Sequence, residues 1–388
     1  MDIEVKKKGR KKETKGKALY LCFVDYQKAF DRVKHDKLVE VMEKAGVPEL
    51  ERKLIVNLYW RQHAVVRWDG EVSREVKVER GVRQGCIISP LLFNLYSEFM
   101  MKEAMEGVEG ISFGGVNITD LRYADDAVLV ADKRKKLQHM IDRLNETCKA
   151  YGMEINIKKT KVMLMNKKEK QNRMKTKIRL NGVPLEQVKR FKYLGSWITE
   201  DARSDEDIRA RVGMAKAAFW HNKDVMRRNI GFKTKMKILN CYVFSILNYG
   251  CESWTWNEAM RKKIDAFEMW CYRRMLRISW MDGVTNDQVL DRVQEELHFG
   301  RDMRKKKMEY AGHVLRGSSG CSHLQILECQ LGGKYKVGAP RKIWMNDILE
   351  WTGLDTYGKV KRKAEDRQGW RKVQREMKKR ERKREKQK

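Results

Sequence analysis

Two adjacent acids, Asp125 and Asp126, stand inside Leu121-Arg122-Tyr123-Ala124-Asp125-Asp126-Ala127-Val128-Leu129-Val130. The apolar, β-branched residues around them predict strand, and Gly114, Gly115 and Asn117 lie just upstream. The stretch therefore predicts a β-hairpin with both acids at its tip. Two like charges held side by side are costly, and a divalent cation relieves that cost. Mg²⁺ takes oxygen ligands and keeps positions open for substrate phosphates. Alone, an Asp-Asp pair reads equally well as a solvated turn. A third acid changes that: Leu19-Tyr20-Leu21-Cys22-Phe23-Val24 is an apolar run ending at Asp25, followed by Tyr26-Gln27-Lys28-Ala29-Phe30-Asp31. A buried strand delivering Asp25 beside the hairpin would build a carboxylate cluster. Such clusters hold two metals about 3.5–4 Å apart for in-line displacement at phosphorus.

These acids need a scaffold. Helices are predicted from Asp36 to a stop at Gly46 and Pro48, and from Glu49 to Trp60 with Leu54, Ile55, Leu58 and Tyr59 at helical spacing. Ala64 to Val78 reads as a hairpin turning at Asp69-Gly70. Gly81-Val82-Arg83-Gln84-Gly85-Cys86-Ile87-Ile88-Ser89-Pro90 opens a helix over 90–106, and another is predicted over 133–151. Strands alternating with helices fit an α+β fold, an antiparallel sheet backed by helices. Beyond Ser196 the pattern is helical: one long helix to about Arg228 capped by Ser204, one from Lys233, and one over 258–278. Asp31 is expected to cap the helix that follows it.

Composition bounds the partners. The 388 residues carry 85 Lys and Arg against 53 Asp and Glu, a formal +32, and such a field suits nucleic acid. The eight cysteines show no C-x-x-C pair and no secretory signal precedes them, so they read as reduced intracellular thiols. No apolar run is long enough to span a membrane. Lys6 to Lys12 form a basic leader that reads as a phosphate-binding run, a nuclear import signal or a solvated, disordered segment, import being favoured. The basic runs with a nucleic-acid partner give an expected nuclear residence with cytoplasmic passage. His313, Cys321, His323 and Cys329 match no standard finger spacing, and zinc is not expected.

The Asp25 block, the Arg-Gln-Gly…Ser-Pro block and Tyr-Ala-Asp-Asp occur in one order. Gly152-Met153-Glu154-Ile155-Asn156-Ile157-Lys158-Lys159-Thr160 and Tyr193-Leu194-Gly195-Ser196 follow. This set resembles the palm of reverse transcriptases, in the flavour of non-LTR (LINE-type) retrotransposons. The resemblance implies an RNA-directed DNA polymerase using two Mg²⁺ ions, an RNA template, a DNA primer or target and dNTPs. It implies that Asp25 and Asp125 bridge both metals with Asp126 as third acid. It places the Tyr26 carbonyl toward a metal, Phe30 under the sugar against a 2′-hydroxyl, and Gln84 and Gly85 at the nucleotide. Lys159 matches the general acid for pyrophosphate, with Lys158 and Lys161 close by, and Tyr193, Leu194 and Gly195 match the primer grip.

The implied organisation is a leader over 1–17 and a palm with partial fingers over 18–200. A helical thumb over 201–282, a nucleic-acid-binding C-terminal region over 283–376 and a charged tail over 377–388 follow. Fingers motifs upstream of Asp25 are usual in the family, so the chain reads as N-terminally truncated against it. The alternative is a catalytically inactive nucleic-acid-binding remnant.

Overall fold

The computed structural model describes residues 18–60, 62–113, 115–165, 176–293, 297, 299–318, 321–328 and 342–385. A five-stranded sheet organises the first half: β1 (Leu19–Val24), β2 (Asp120–Tyr123), β3 (Asp126–Ala131), β4 (Lys161–Met165) and β5 (Glu186–Gln187). The strand order is β5-β4-β1-β3-β2, antiparallel except for the β4–β5 edge. β1 is central, paired with β3 on one side and β4 on the other. That explains its unbroken apolar sequence, since both of its faces are covered.

Strand periodicity divides those faces. Cys22, Val24, Ala127, Leu129, Ala131 and Val162 enter the larger core, formed with α1 (Ser89–Met105) and α2 (Arg134–Ala150). Leu21, Phe23, Val128, Val130 and Met163 face the other way, against Phe191, Tyr193 and Ile198. Those last residues belong to a hairpin of β6 (Arg190–Tyr193) and β7 (Ser196–Thr199), whose Phe191 ring stacks on Phe23 at 4.1 Å between centroids.

The helices His35–Lys44 and Glu49–Trp60 occur as expected, and so does the Asp69-Gly70 turn, both of whose residues have positive φ. Some expectations need correction. Gly115 turns a separate hairpin, Ile111–Phe113 with Val116–Ile118, and the acidic hairpin is the next one along the chain. Asp31 caps nothing: it lies within the 3₁₀ turn Ala29–Arg32, and the following helix is preceded by Lys34. Ser204 precedes α3 (Asp205–His221) without a side-chain cap bond, and α3 stops at Asn222 before the short helix Lys223–Arg227. The acids Asp205, Glu206 and Asp207 in the first turn favour this helix end through the macrodipole instead.

The helices Phe232–Leu239 and Glu258–Met275 join α3 in a second core. A third core gathers Met308, Ile348, Val360, Ala364 and Trp370 from the C-terminal helices. Phe299–Leu315 joins the two: Lys307 donates to the Trp254 carbonyl at 2.6 Å and pairs with buried Asp347. Gly312 permits close approach there, because a Cβ would lie 2.5 Å from the Trp370 indole nitrogen.

Candidate active site

Register decides which acids meet. Val24 pairs with Ala127, so continuing the antiparallel ladder by one residue sets Asp25 opposite Asp126. Both then point to the Phe23 face of the sheet. Tyr123 pairs with Asp126, leaving Ala124 and Asp125 as the two-residue turn. Asp126 is therefore the first residue of β3, and only Asp125 occupies the tip where both were expected. Ala124 adopts φ +54°, a conformation that glycine usually supplies in such turns and that costs an alanine roughly 1 kcal/mol.

The resulting cleft encloses about 330 Å³ between Phe23, Asp25, Asp126, Lys159, Phe191 and Tyr193. Asp25 Oδ2 is buried and accepts no hydrogen bond, and its nearest cation is the Lys159 ammonium at 4.0 Å. Partial burial pushes the Asp126 carboxyl above the usual aspartate range, and the charges of Asp125 and Asp25 push it further. The Tyr193 phenol is raised as well, by burial and by Asp126. Three lysines, Lys158, Lys159 and Lys161, line the same cleft as Asp25 and Asp126.

The chain that carries Lys159 is tied directly to Asp25. The Asn156 N–H donates to the Asp25 carbonyl at 2.7 Å, and the Asp25 N–H donates to Thr160 Oγ1 at 3.2 Å. Asn156 Oδ1 accepts from the Lys158 and Lys159 N–H groups, closing an Asx-type turn between those two anchors. Neither Asn156 nor buried Thr160 was singled out from sequence. The signal was an asparagine directly after apolar Ile155 and before a run of lysines. Among the three lysines, Lys161 is engaged with Glu186 at 2.6 Å and with the Lys158 carbonyl. Lys159 remains the one beside Asp25.

Tyr26 forms a bridge with Ile155 in which Gln27 N–H and Asn156 N–H supply the flanking bonds. In such a wide pair the Tyr26 carbonyl points away from residue 155, toward the β3 side. Its side chain is buried, with the hydroxyl on Met101. Phe30 is half-buried and stacked on Phe93 at 4.7 Å. The Gln-Gly block docks on this segment: Gly81 N–H reaches Val33 O, Val82 N–H reaches Phe30 O, and Gln84 Nε2 donates to Asp31 at 3.3 Å. Gly85, at φ +84° with nothing within 4 Å of a Cβ, is required by its backbone angle and not by a close neighbour.

Tyr193 lines the cleft, and Leu194 and Gly195 form the two-residue loop between β6 and β7, both with positive φ. Hence the structure brings Asp25, Asp126, Lys159 and Tyr193 to one cleft with Asp125 at its edge, and Tyr26, Phe30, Gln84 and Gly85 along the chain leading from it. Cys329 and the side chain of Cys321 lie outside the described residues. So do the basic leader and part of the Gly338–Lys342 block.

A divalent cation is compatible with these residues. Asp25 Oδ2 is a hard oxygen lacking a hydrogen-bond donor, and the charged form of Asp126 is disfavoured by burial and by its acidic neighbours. Among the described residues no three His, Cys, Asp or Glu side chains converge on one point. Asp25 and Asp126 offer hard carboxylate oxygens of the kind a divalent cation takes together with substrate phosphates and water. Among the described residues no helix is long and apolar enough to cross a membrane.

Residues 3–198, half of the chain, match the family model for reverse transcriptase (RNA-dependent DNA polymerase). An uncharacterised transposon-derived protein of Caenorhabditis elegans is 29% identical over 66% of this chain and 95% of its own length. The Pol polyprotein of the type-1 retrotransposable element R2 of Nasonia vitripennis is 31% identical over 41% of this chain and 16% of its own. The RNA-directed DNA polymerase of the mobile element jockey of Drosophila funebris is 30% identical over 60% of this chain and 25% of its own. The chain thus spans a quarter or less of these last two relatives. The ordered palm motifs, the sheet that gathers their acids and the family match agree: the chain belongs to the reverse transcriptase family.

Proposed function

We propose that this chain is an RNA-directed DNA polymerase of a non-LTR retrotransposon, transferring a nucleotide from a dNTP to a primer 3′-hydroxyl on an RNA template. The observation that carries the reading is the buried Asp25 carboxylate oxygen, which accepts no hydrogen bond, shares a sheet face with Asp126 and meets Lys159 at 4.0 Å. Reverse transcriptases use divalent metal ions, and Asp25, Asp125 and Asp126 would hold two Mg²⁺ here. Bound there, the ions would acidify the primer hydroxyl and neutralise the triphosphate.

The protein's own groups do the rest. Lys159 holds a proton 4.0 Å from Asp25, placed to pass it to departing pyrophosphate. The Phe30 ring, backed by Phe93, closes the space a 2′-hydroxyl would need and so selects deoxynucleotides. Gln84 and Gly85 sit on the nucleotide side, and Tyr193, Leu194 and Gly195 receive the primer. The +32 formal charge supports a nucleic-acid partner and fits work in the nucleus. In this reading residues 18–200 are palm and partial fingers, 201–282 thumb and 283–376 a C-terminal nucleic-acid-binding region.

Primer extension on an RNA template with Mg²⁺ and four deoxynucleotides tests the reading. The parent is expected to extend, and Asp125→Ala to lose at least about a hundredfold in rate. Extension by neither, with RNA still bound at fixed salt, would overturn it.

A further inference from the structure

The Leu194–Gly195 loop is held by side chains far from it in sequence. The Tyr249 hydroxyl donates to the Leu194 carbonyl at 2.8 Å, and Arg211 Nη2 donates to the Gly195 carbonyl at 2.5 Å. The two holders also support each other, with the Arg211 guanidinium 4.3 Å above the Tyr249 ring. Arg211 is only 6% exposed. Its charge is answered by Asp207 at 3.8 Å, whose oxygens are taken by the Trp197 N–H and the Trp254 indole N–H at 2.9 Å each.

Those Asp207 bonds already fasten the hairpin to α3. The bonds to the two loop carbonyls do something else: they fix the orientation of the loop peptides. In a trans peptide the N–H points opposite the carbonyl before it. With the Leu194 carbonyl on Tyr249, the Gly195 N–H is turned to the side away from Tyr249. A backbone N–H turned away from its holder, between two successive residues of positive φ, suits a phosphate oxygen. Tyr193, the residue before this loop, lines the same cleft as Asp126.

We infer that Arg211 and Tyr249 are positioning residues, which clasp the Leu194–Gly195 loop so that it receives a phosphodiester near the 3′ end of a primer strand. The inference rests on the polymerase reading for the identity of that strand. A second copy of the contact, through the Arg211 bond to Ser196 Oγ at 3.3 Å, reinforces the hold from the β7 side.

Binding measures it without requiring turnover. Dissociation constants would be taken by fluorescence anisotropy at fixed salt for an RNA–DNA duplex with a recessed DNA 3′ end and for the same duplex with an uninterrupted DNA strand. The parent should prefer the recessed end. Tyr249→Phe keeps the half-exposed ring but removes one hydrogen bond, and should reduce that preference about fivefold while leaving the uninterrupted duplex unaffected. Arg211→Lys, which keeps the charge beside Asp207, should reduce it too, with melting curves recorded for both variants. A parent without the preference, or a Tyr249→Phe protein that retains it or weakens both duplexes alike, would overturn the inference. Extension assays run alongside judge the other claim separately: a parent that prefers the recessed end but never extends refutes the proposed function and leaves the clasp standing.

Discussion

Two acids in this molecule are treated in opposite ways. Asp347 is wholly buried and surrounded by donors: Lys307, the Trp256 N–H at 2.7 Å, and the Lys342 ammonium at 2.8 Å, the last meeting it as an ion pair without hydrogen-bond alignment. Asp25 is more than a third exposed, yet one of its oxygens is buried without a hydrogen-bond donor and meets Lys159 at 4.0 Å. The acid opposite it in register is pushed toward protonation by burial and by its acidic neighbours. A carboxylate that serves the fold has its partners inside the chain. One left short of them at a cleft is available to a group from outside.

Removing one partner from each region sharpens the contrast, and the Asp347 side should give the largest change in stability. Asp347→Ala removes the counter-charge of Lys307 and leaves it the Trp254 carbonyl among Trp344 and Trp351, where burial already lowers its ammonium to about 8. We expect a loss of about 3–5 kcal/mol in denaturant unfolding, with the second and third cores loosened together. A loss as small as that of a surface substitution would break the comparison.

The opposite sign is expected at the cleft, on a smaller scale. Asp126 has a raised folded-state pKa, so its favourable contribution is complete only below the ordinary aspartate value and is lost as pH rises through the raised one. At pH 7 the charged side chain therefore opposes folding, and Asp126→Asn should raise the melting temperature modestly. The gain should shrink toward zero as the pH falls through that titration. A variant less stable than the parent at pH 7 would show that the acid serves the fold.

The same contrast explains what the sequence could disclose. Asp25, the acid pair and the lysine turn are local patterns, each an apolar run meeting charged residues, and strand periodicity brings them to one sheet. Which acid faces Asp25 depends on a one-residue register: Asp126 begins a strand where a tip was expected. The caps assigned to Asp31 and Ser204 failed for local reasons: Asp31 falls inside a 3₁₀ turn, and Ser204 stands at the N-cap of α3 with helical φ and ψ and makes no side-chain cap bond. Arg211 and Tyr249 had no local signature. Their partners lie 16 and 55 residues away and are backbone carbonyls, which any sequence supplies.

The most direct test of the account is a Mg²⁺ titration followed by thermal unfolding, comparing the parent with Asp25→Asn. Ligand bound only by the folded state raises its stability with concentration. The account predicts a saturable rise in melting temperature for the parent and little or none for Asp25→Asn. Equal rises in both proteins, or none in the parent, would contradict the claim that these acids are kept for a divalent cation.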